Sequence, residues 1–209
     1  MEEHVTAADI HRTRLEAGER REQILNCAIR LFGERPYAAV STTELATEAG
    51  VTRGLIHHYF GTKRGLYLDV VRAMVLVPDP FDAVAATGSL STRVERSVDW
   101  FLDSVGTHRK TFVAVTGAEG VGGDPEIERI LAEADDIAAQ KVLTIVGVDS
   151  PASANGRERA IVRAYGGMVK AAVREWVREG TLNREEVRML LVHALIAIVE
   201  DVLPKLPAR

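Results

Sequence analysis

Between Ser41 and Gly61 the chain carries two helix starts and two stops, each marked by a residue type suited to that task. Ser41-Thr42-Thr43-Glu44 has capping-box spacing: the Ser41 hydroxyl accepts from the N–H of Glu44, and the Glu44 carboxylate reaches back to the N–H of Ser41. Gly50 stops that helix after about seven residues. Thr52 caps a second helix, Arg53 to Phe60, and Thr62, after Gly61, caps a third that runs to about Val77 before Pro78 and Pro80 block it. Upstream, from about Arg21, the residues Ile24, Leu25, Ala28, Leu31 and Phe32 make one apolar stripe that Gly33 to Pro36 ends. Two short helices about an Ala49-Gly50-Val51 turn, with a helix on either side, are the layout of a helix-turn-helix.

Beyond Pro80 the apolar residues again recur at three and four rather than two, which predicts helices and no strands. They fall at roughly Ser91–Gly106, His108–Thr116, Asp124–Ile145, Asn155–Glu179 and Asn183–Leu203. Asp124-Pro125 puts a capping acceptor before a proline at the first helical position, and Asn183 to Glu186 repeats the capping box. Gly117–Gly123 and Val148–Gly156 are the expected loops. The expectation is an all-α protein: a flexible arm over 1–19, a three-helix helix-turn-helix domain over 20–78, and a larger helical domain over 79–209.

With 209 residues, 46% of them hydrophobic, there is material for a real core, and the single Cys27 cannot form an internal bridge and suits a reducing compartment. The longest apolar run, Met189 to Val199, is interrupted by His193 and is too short to span a bilayer. Met1 to Leu25 is crowded with charge and lacks a secretory signal's apolar stretch, so a cytoplasmic protein with no membrane partner is expected. Its net charge of −4 excludes a whole-surface polycation. The sign is not uniform, however. From Arg20 to Val75, eight basic side chains stand against five acidic ones, a local +3 that leaves −7 elsewhere, the electrostatic footprint of a local nucleic-acid site.

Successive residues of the Arg53–Phe60 helix rotate by about 100°. Ile56 and Phe60 fall on one side, where Leu45, Ala46, Ala49 and Val51 complete a small core; Gly54 and His58 fall opposite, flanked by Leu55 and His57. That second face could enter a major groove about 12 Å wide. Thr42, Thr43, Thr52 and Lys63 lie at helix starts, where backbone N–H groups already favour a phosphate. The run from Arg21-Glu-Gln-Ile-Leu through Phe32, and then Ser41-Thr-Thr-Glu-Leu-Ala-Thr-Glu-Ala-Gly-Val-Thr-Arg-Gly-Leu-Ile-His-His-Tyr-Phe-Gly-Thr-Lys to Leu66, resembles the N-terminal DNA-binding domain of TetR-family transcriptional regulators. The resemblance implies double-stranded operator DNA as partner, contacted by Thr42, Thr43, Arg53, Gly54, Leu55, His57, His58, Tyr59 and Lys63, with Thr52 at the recognition-helix cap. Two residues depart from the family pattern: Pro36, where a glycine is usual, so the turn after the first helix must be built differently, and His57, where a tyrosine often stands.

The resemblance also implies that the last two helices pair with their copies in a homodimer, with Ile161, Tyr165, Met168, Leu191, Leu195, Ile198 and Val202 at the interface. A final helix that is apolar nearly all round does need partners on more than one side. It further implies a cavity for a small, mostly hydrophobic effector, with Trp100, Phe101, His108, Phe112, Tyr165, Met168 and Trp176 as lining candidates, and release of a repressor from a palindromic operator when it binds. No cofactor and no metal are expected, because adjacent His57 and His58 diverge on a helix and no carboxylate or cysteine stands at ligand spacing. An enzyme would need a catalytic constellation that the chain does not spell: Cys27 lies on an apolar face, and Gly117–Gly123 lacks a strand before it. A ligand-independent or architectural DNA-binding protein is the alternative, with overall acidity against the architectural form.

Overall fold

The computed structural model describes residues 7–76, 87–117, 123–148 and 156–206, with side chains from Gly18 onward. Among these residues all regular structure is helical. The chain packs as two units, the residues up to Val71 and those from Arg72 on, so the division falls a few residues before residue 78.

In the first unit, α1 spans Ala7–Glu34 and so begins well before Arg21. The arm expected over 1–19 is helical from Ala7, because Ala7, Ala8, Leu15, Glu16 and Ala17 are strong helix formers and no proline intervenes. Its stripe buries Ile24, Ala28, Leu31 and Phe32 as the spacing predicts, while Leu25 is only half-buried and Ile29 is buried in addition. The turn at Pro36 needs no positive φ: Pro36 sits at φ −55°, ψ 146°, and a 3₁₀ turn over Tyr37–Ala39 closes with the Ala39 N–H donating to the Pro36 carbonyl at 2.9 Å.

α2 spans Thr42–Glu48 and α3 spans Arg53–Phe60. Between them Gly50 takes φ +63°, a conformation that side chains with a Cβ resist, and the Val51 N–H donates to Ala46 at 2.9 Å. Ser41 and Thr52 cap as expected, accepting from Glu44 N–H at 3.1 Å and Leu55 N–H at 3.2 Å. The reciprocal half of the first box is replaced, since the Glu44 carboxylate pairs with Arg35. α4 spans Lys63–Val75, ending just short of Val77, and is capped by Thr62, which accepts from the Gly65 N–H at 2.9 Å. Residues 77–86, including Pro78 and Pro80, lie outside the described residues.

The second unit contains α5 (Leu90–Thr107), α6 (Arg109–Thr116), α7 (Pro125–Val146), α8 (Gly156–Arg174) and α9 (Arg184–Ala197). Asp124 accepts from the N–H groups of Glu126 and Ile127, and the Asn183–Glu186 capping box is complete. α8 and α9 each loosen into a π-helical turn, Glu175–Glu179 and Ile198–Val202, which carries them close to the ends expected from the sequence. Most of the expected loops, residues 118–122 and 149–155, lie outside the described residues. α8 packs on α7, and α9 on α5. Val94, Val98 and Leu102 of α5 meet Val187, Leu191 and Leu195 of α9, and the Tyr165 hydroxyl donates to the Leu191 carbonyl at 3.0 Å. Each such aliphatic side chain contributes about 1.5–3 kcal/mol by leaving water. Ion pairs finish the seams: Arg188 grips Asp99 through two hydrogen bonds, at 2.7 and 3.1 Å, and Lys170 pairs with Asp135 at 2.7 Å.

Candidate nucleic-acid interface

The recognition surface is set by what α3 must bury. Ile56 is 1% exposed and Phe60 8%, and α2, which packs on α3, buries Leu45 and Ala46. With that stripe spent, Arg53, Gly54, His57 and His58 are exposed together, and Leu55 and Tyr59 are half-buried at the flanks. Tyr59 is held between neighbours, its ring 5.2 Å from His58 and 6.3 Å from Phe60. Among the described residues Arg53 makes no ion pair, in contrast to Arg21, Arg30 and Arg35, which are neutralised by Asp69, Glu48 and Glu44. These three pairs cancel within the segment and leave its net +3 unchanged, and Arg53 places a full charge of that surplus at the start of α3. Thr43 and Thr52 are exposed beside it, and Thr42 is half-buried.

Lys63 departs from the sequence expectation. Its ammonium donates to the Tyr37 carbonyl at 2.6 Å and stands 4.2 Å from the centre of the Tyr37 ring, so it is not simply presented to a phosphate. Burial lowers its pKa from the ordinary lysine value. Two of its three N–H donors can still point elsewhere. Tyr37 itself stacks among Phe32, at 5.9 Å, and Tyr67, at 4.9 Å, tying α1, the 3₁₀ turn and α4 together. Nothing in the spacing marks Tyr37, because a tyrosine after a proline reads as a loop residue. The positions of Gln23, whose amide donates to the Ala49 carbonyl at 3.0 Å, and of Gly65 were equally silent.

The second unit encloses a cavity of about 320 Å³. Of the seven lining candidates, Trp100, Phe101, His108, Phe112 and Tyr165 border it. Met168 and Trp176 do not: both pack against the helical core, and Arg109 lies 5.9 Å over the Trp176 ring. Trp100 reaches the cavity because it lies off the buried Val94, Val98, Leu102 and Val105 stripe of α5. Ala73, Met74, Val75 and Leu76, at and just past the end of α4, form part of the wall.

A sequence model of bacterial regulatory proteins of the tetR family matches residues 24–70, and one for the tetracyclin repressor-like C-terminal domain matches residues 90–198. The chain belongs to the TetR family. Among its relatives, the transcriptional regulator BetI of Rhizobium meliloti is 38% identical over 78 residues, 37% of each chain. The transcriptional activator FasR of Mycolicibacterium smegmatis is 26% identical over 166 residues, 78% of this chain and 75% of FasR. The chain thus aligns with little more than a third of the BetI length. A TetR-family regulator from Streptomyces coelicolor superposes with a TM-score of 0.71 at 26% identity, covering 87% of this chain and 82% of that one. All three are named as transcriptional regulators or activators.

In this TetR-family chain the residues expected at an interface divide between core and surface. Tyr165, Leu191 and Leu195 are 7%, 1% and 3% exposed, already buried within one chain against α5, so they cannot meet a partner. Ile161, Met168 and Ile198 are half-buried, and Val202 is 41% exposed. Met189 at 55% and Leu190 at 42% are exposed too, as are Ala160, Ala164 and Gly167 of α8. Large apolar side chains left exposed are the kind of residue found at interaction sites when they cluster. No helix among the described residues is long and apolar enough to cross a membrane.

Proposed function

We propose that this TetR-family protein is a homodimeric, sequence-specific transcriptional regulator, a repressor released from a palindromic operator by a small, mostly hydrophobic effector. The observation that carries the reading is the exposed face of α3, Arg53, Gly54, His57 and His58, held on a helix whose opposite side is fully spent in the core. A short helix reads few base pairs, and a two-fold dimer doubles the site by presenting two such helices to half-sites about one helical turn, or a longer spacing, apart. Met189, Leu190 and Val202, with the small residues of α8, supply the apolar face for the second copy.

Arg53 reads base edges, Thr43 and Thr52 hold phosphates, and His57 and His58 complete the groove surface. Lys63 acts chiefly by fixing the start of α4, with a phosphate contact through its remaining donors. The effector binds the cavity and favours a dimer state that does not fit the operator, with a coupling equal to its differential affinity for the two states. The cavity wall supports this, since α4 both follows the recognition helix and ends at the cavity.

The test is selective retention of an operator in the presence of excess competitor DNA, with the mass of the protein measured in the same buffer. A dimer on a selected palindrome supports the reading, whereas equal binding to all sequences favours the architectural alternative. The similarity to FasR, named an activator, gives the opposite sign of regulation an independent footing. A reporter driven from the operator rises on deletion of a repressor and falls on deletion of an activator.

A further inference from the structure

The cavity of the second unit constrains the chemistry of its ligand beyond being apolar, through the state of its polar groups. Its hydroxyl protons are committed to backbone carbonyls: Ser97 to Arg93 at 2.7 Å, Ser104 to Trp100 at 2.8 Å, Thr116 to Phe112 at 2.6 Å and Tyr165 to Leu191 at 3.0 Å. Its charges are committed too. Lys170 pairs with Asp135 at 2.7 Å, Arg163 pairs with Asp136 at 2.6 Å, and Lys141 is also engaged. The rest of the wall is aliphatic and aromatic, with Phe101 and Phe112 in edge contact at 5.8 Å.

His108 stands apart. Its imidazole, half-buried at the junction of α5 and α6, makes no hydrogen bond to any described residue, although it occupies the position from which a side chain would cap α6. A neutral imidazole offers one donor and one acceptor. An anionic ligand on a free donor of Lys170 would sit against the Asp135 carboxylate that the same ammonium already holds. A cationic ligand on Asp135 would sit against Lys170 in the same way. Either arrangement sets like charges side by side in a partly desolvated site, which offsets what the new pair returns.

We infer that the cavity takes an uncharged, lipophilic molecule carrying one hydrogen-bonding group that meets His108. This rests on the reading of the cavity as the effector site. A volume of about 320 Å³ is near the bottom of the range for small-molecule pockets, about 300–1,000 Å³, and suits a molecule of one or two fused rings.

A matched set of naphthalene probes tests the inference on the full-length protein by calorimetric titration: naphthalenemethanol, naphthoate, naphthylmethylammonium and methylnaphthalene. They share a ring system and differ only in the charge and hydrogen-bonding capacity of one substituent. Naphthalenemethanol is expected to bind at least about tenfold more tightly than either ion, given the like-charged neighbour that each ion would meet. In His108→Leu, which keeps bulk at that position, naphthalenemethanol is expected to weaken by about fivefold, the worth of one net hydrogen bond, while methylnaphthalene keeps its affinity. Naphthoate or naphthylmethylammonium binding as tightly as the alcohol overturns the inference in the wild type, whether or not the variant folds. Operator affinity is read in the same samples. Tight binding of the alcohol with no change at the operator supports the ligand class and refutes the effector reading, and no binding by any probe refutes both.

Discussion

Two glycines of the DNA-binding unit make a controlled comparison, because the same substitution should act in opposite directions at each. A Cβ added at Gly65 would lie 2.2 Å from the Phe60 carbonyl oxygen and 3.4 Å from its carbon, where the start of α4 passes the end of α3. A backbone carbonyl cannot rotate away as a side chain can, so one of the two helices must move by several tenths of an ångström. Forcing an extra carbon into such a contact costs about 1–3 kcal/mol, and the gain in helix propensity on replacing glycine returns at most about 1 kcal/mol. Gly65→Ala should therefore destabilise the unit by about 1–2 kcal/mol. At Gly54 the nearest atom to an added Cβ is Thr52 Oγ1, at 3.8 Å, an ordinary contact. Gly54→Ala should stabilise α3, by up to about 1 kcal/mol, while adding bulk to the face proposed to meet DNA. Hydrogen exchange of the α3 amides in the full-length protein reads both. Protection should differ between the two variants by about 5- to 150-fold, a gap of roughly 1–3 kcal/mol. Gly65→Ala with protection equal to or above wild type would refute the account of how α4 fixes α3. Operator binding by Gly54→Ala that matches wild type would remove Gly54 from the contact surface.

Ile56→Ala should cost about 2–5 kcal/mol by opening a cavity between α2 and α3, seen as loss of the first unit's exchange protection while the second keeps its own. Lys63→Ala should lower the salt slope of DNA binding by about one and weaken all sequences alike, and should in addition lower the thermal stability of the first unit because the Tyr37 carbonyl loses its donor. Leu190→Asp with Met189→Asp should yield a folded monomer by sedimentation, whereas Leu191→Ala should lower stability without changing stoichiometry, since Leu191 is buried inside one chain. Burial raises the ionisation of Tyr165 above its ordinary value of 10.0. Above that pH the unfolded chain loses the proton and the folded one keeps it, so stability falls as pH rises. Tyr165→Phe should flatten this alkaline limb in urea melts, leaving shares of the same sign from Tyr67 and Cys27 and one of opposite sign from Lys63.

Much of the fold was legible because local backbone groups make local demands. Ser41, Thr52, Thr62, Asp124 and Asn183 all cap where their types and spacings indicate, since a helix start has orphan N–H groups that only a few side chains can satisfy. The buried and exposed faces of α3 followed from the 3.6-residue period for the same reason. What escaped the sequence was decided by contacts between distant residues. Lys63 is turned to Tyr37, 26 positions away, and no local pattern records that. The Glu44 carboxylate prefers Arg35 over its own cap. In α9, apolar residues run nearly all round, so the period names several possible stripes; packing on α5 took Leu191 and Leu195 inward and left Met189 and Leu190 outside. Met168 and Trp176 looked like cavity residues by size and position, yet core packing absorbed both.

The central claim, that a dimer reads DNA through the exposed face of α3, is tested most directly by selecting binding sites from a random-sequence pool with the wild type and with Arg53→Ala in parallel. The account predicts that the wild type enriches a two-fold palindrome and that Arg53→Ala enriches the same palindrome with preference lost at one symmetry-related pair of positions. Enrichment of no palindrome, or an unchanged base preference in Arg53→Ala, would contradict it.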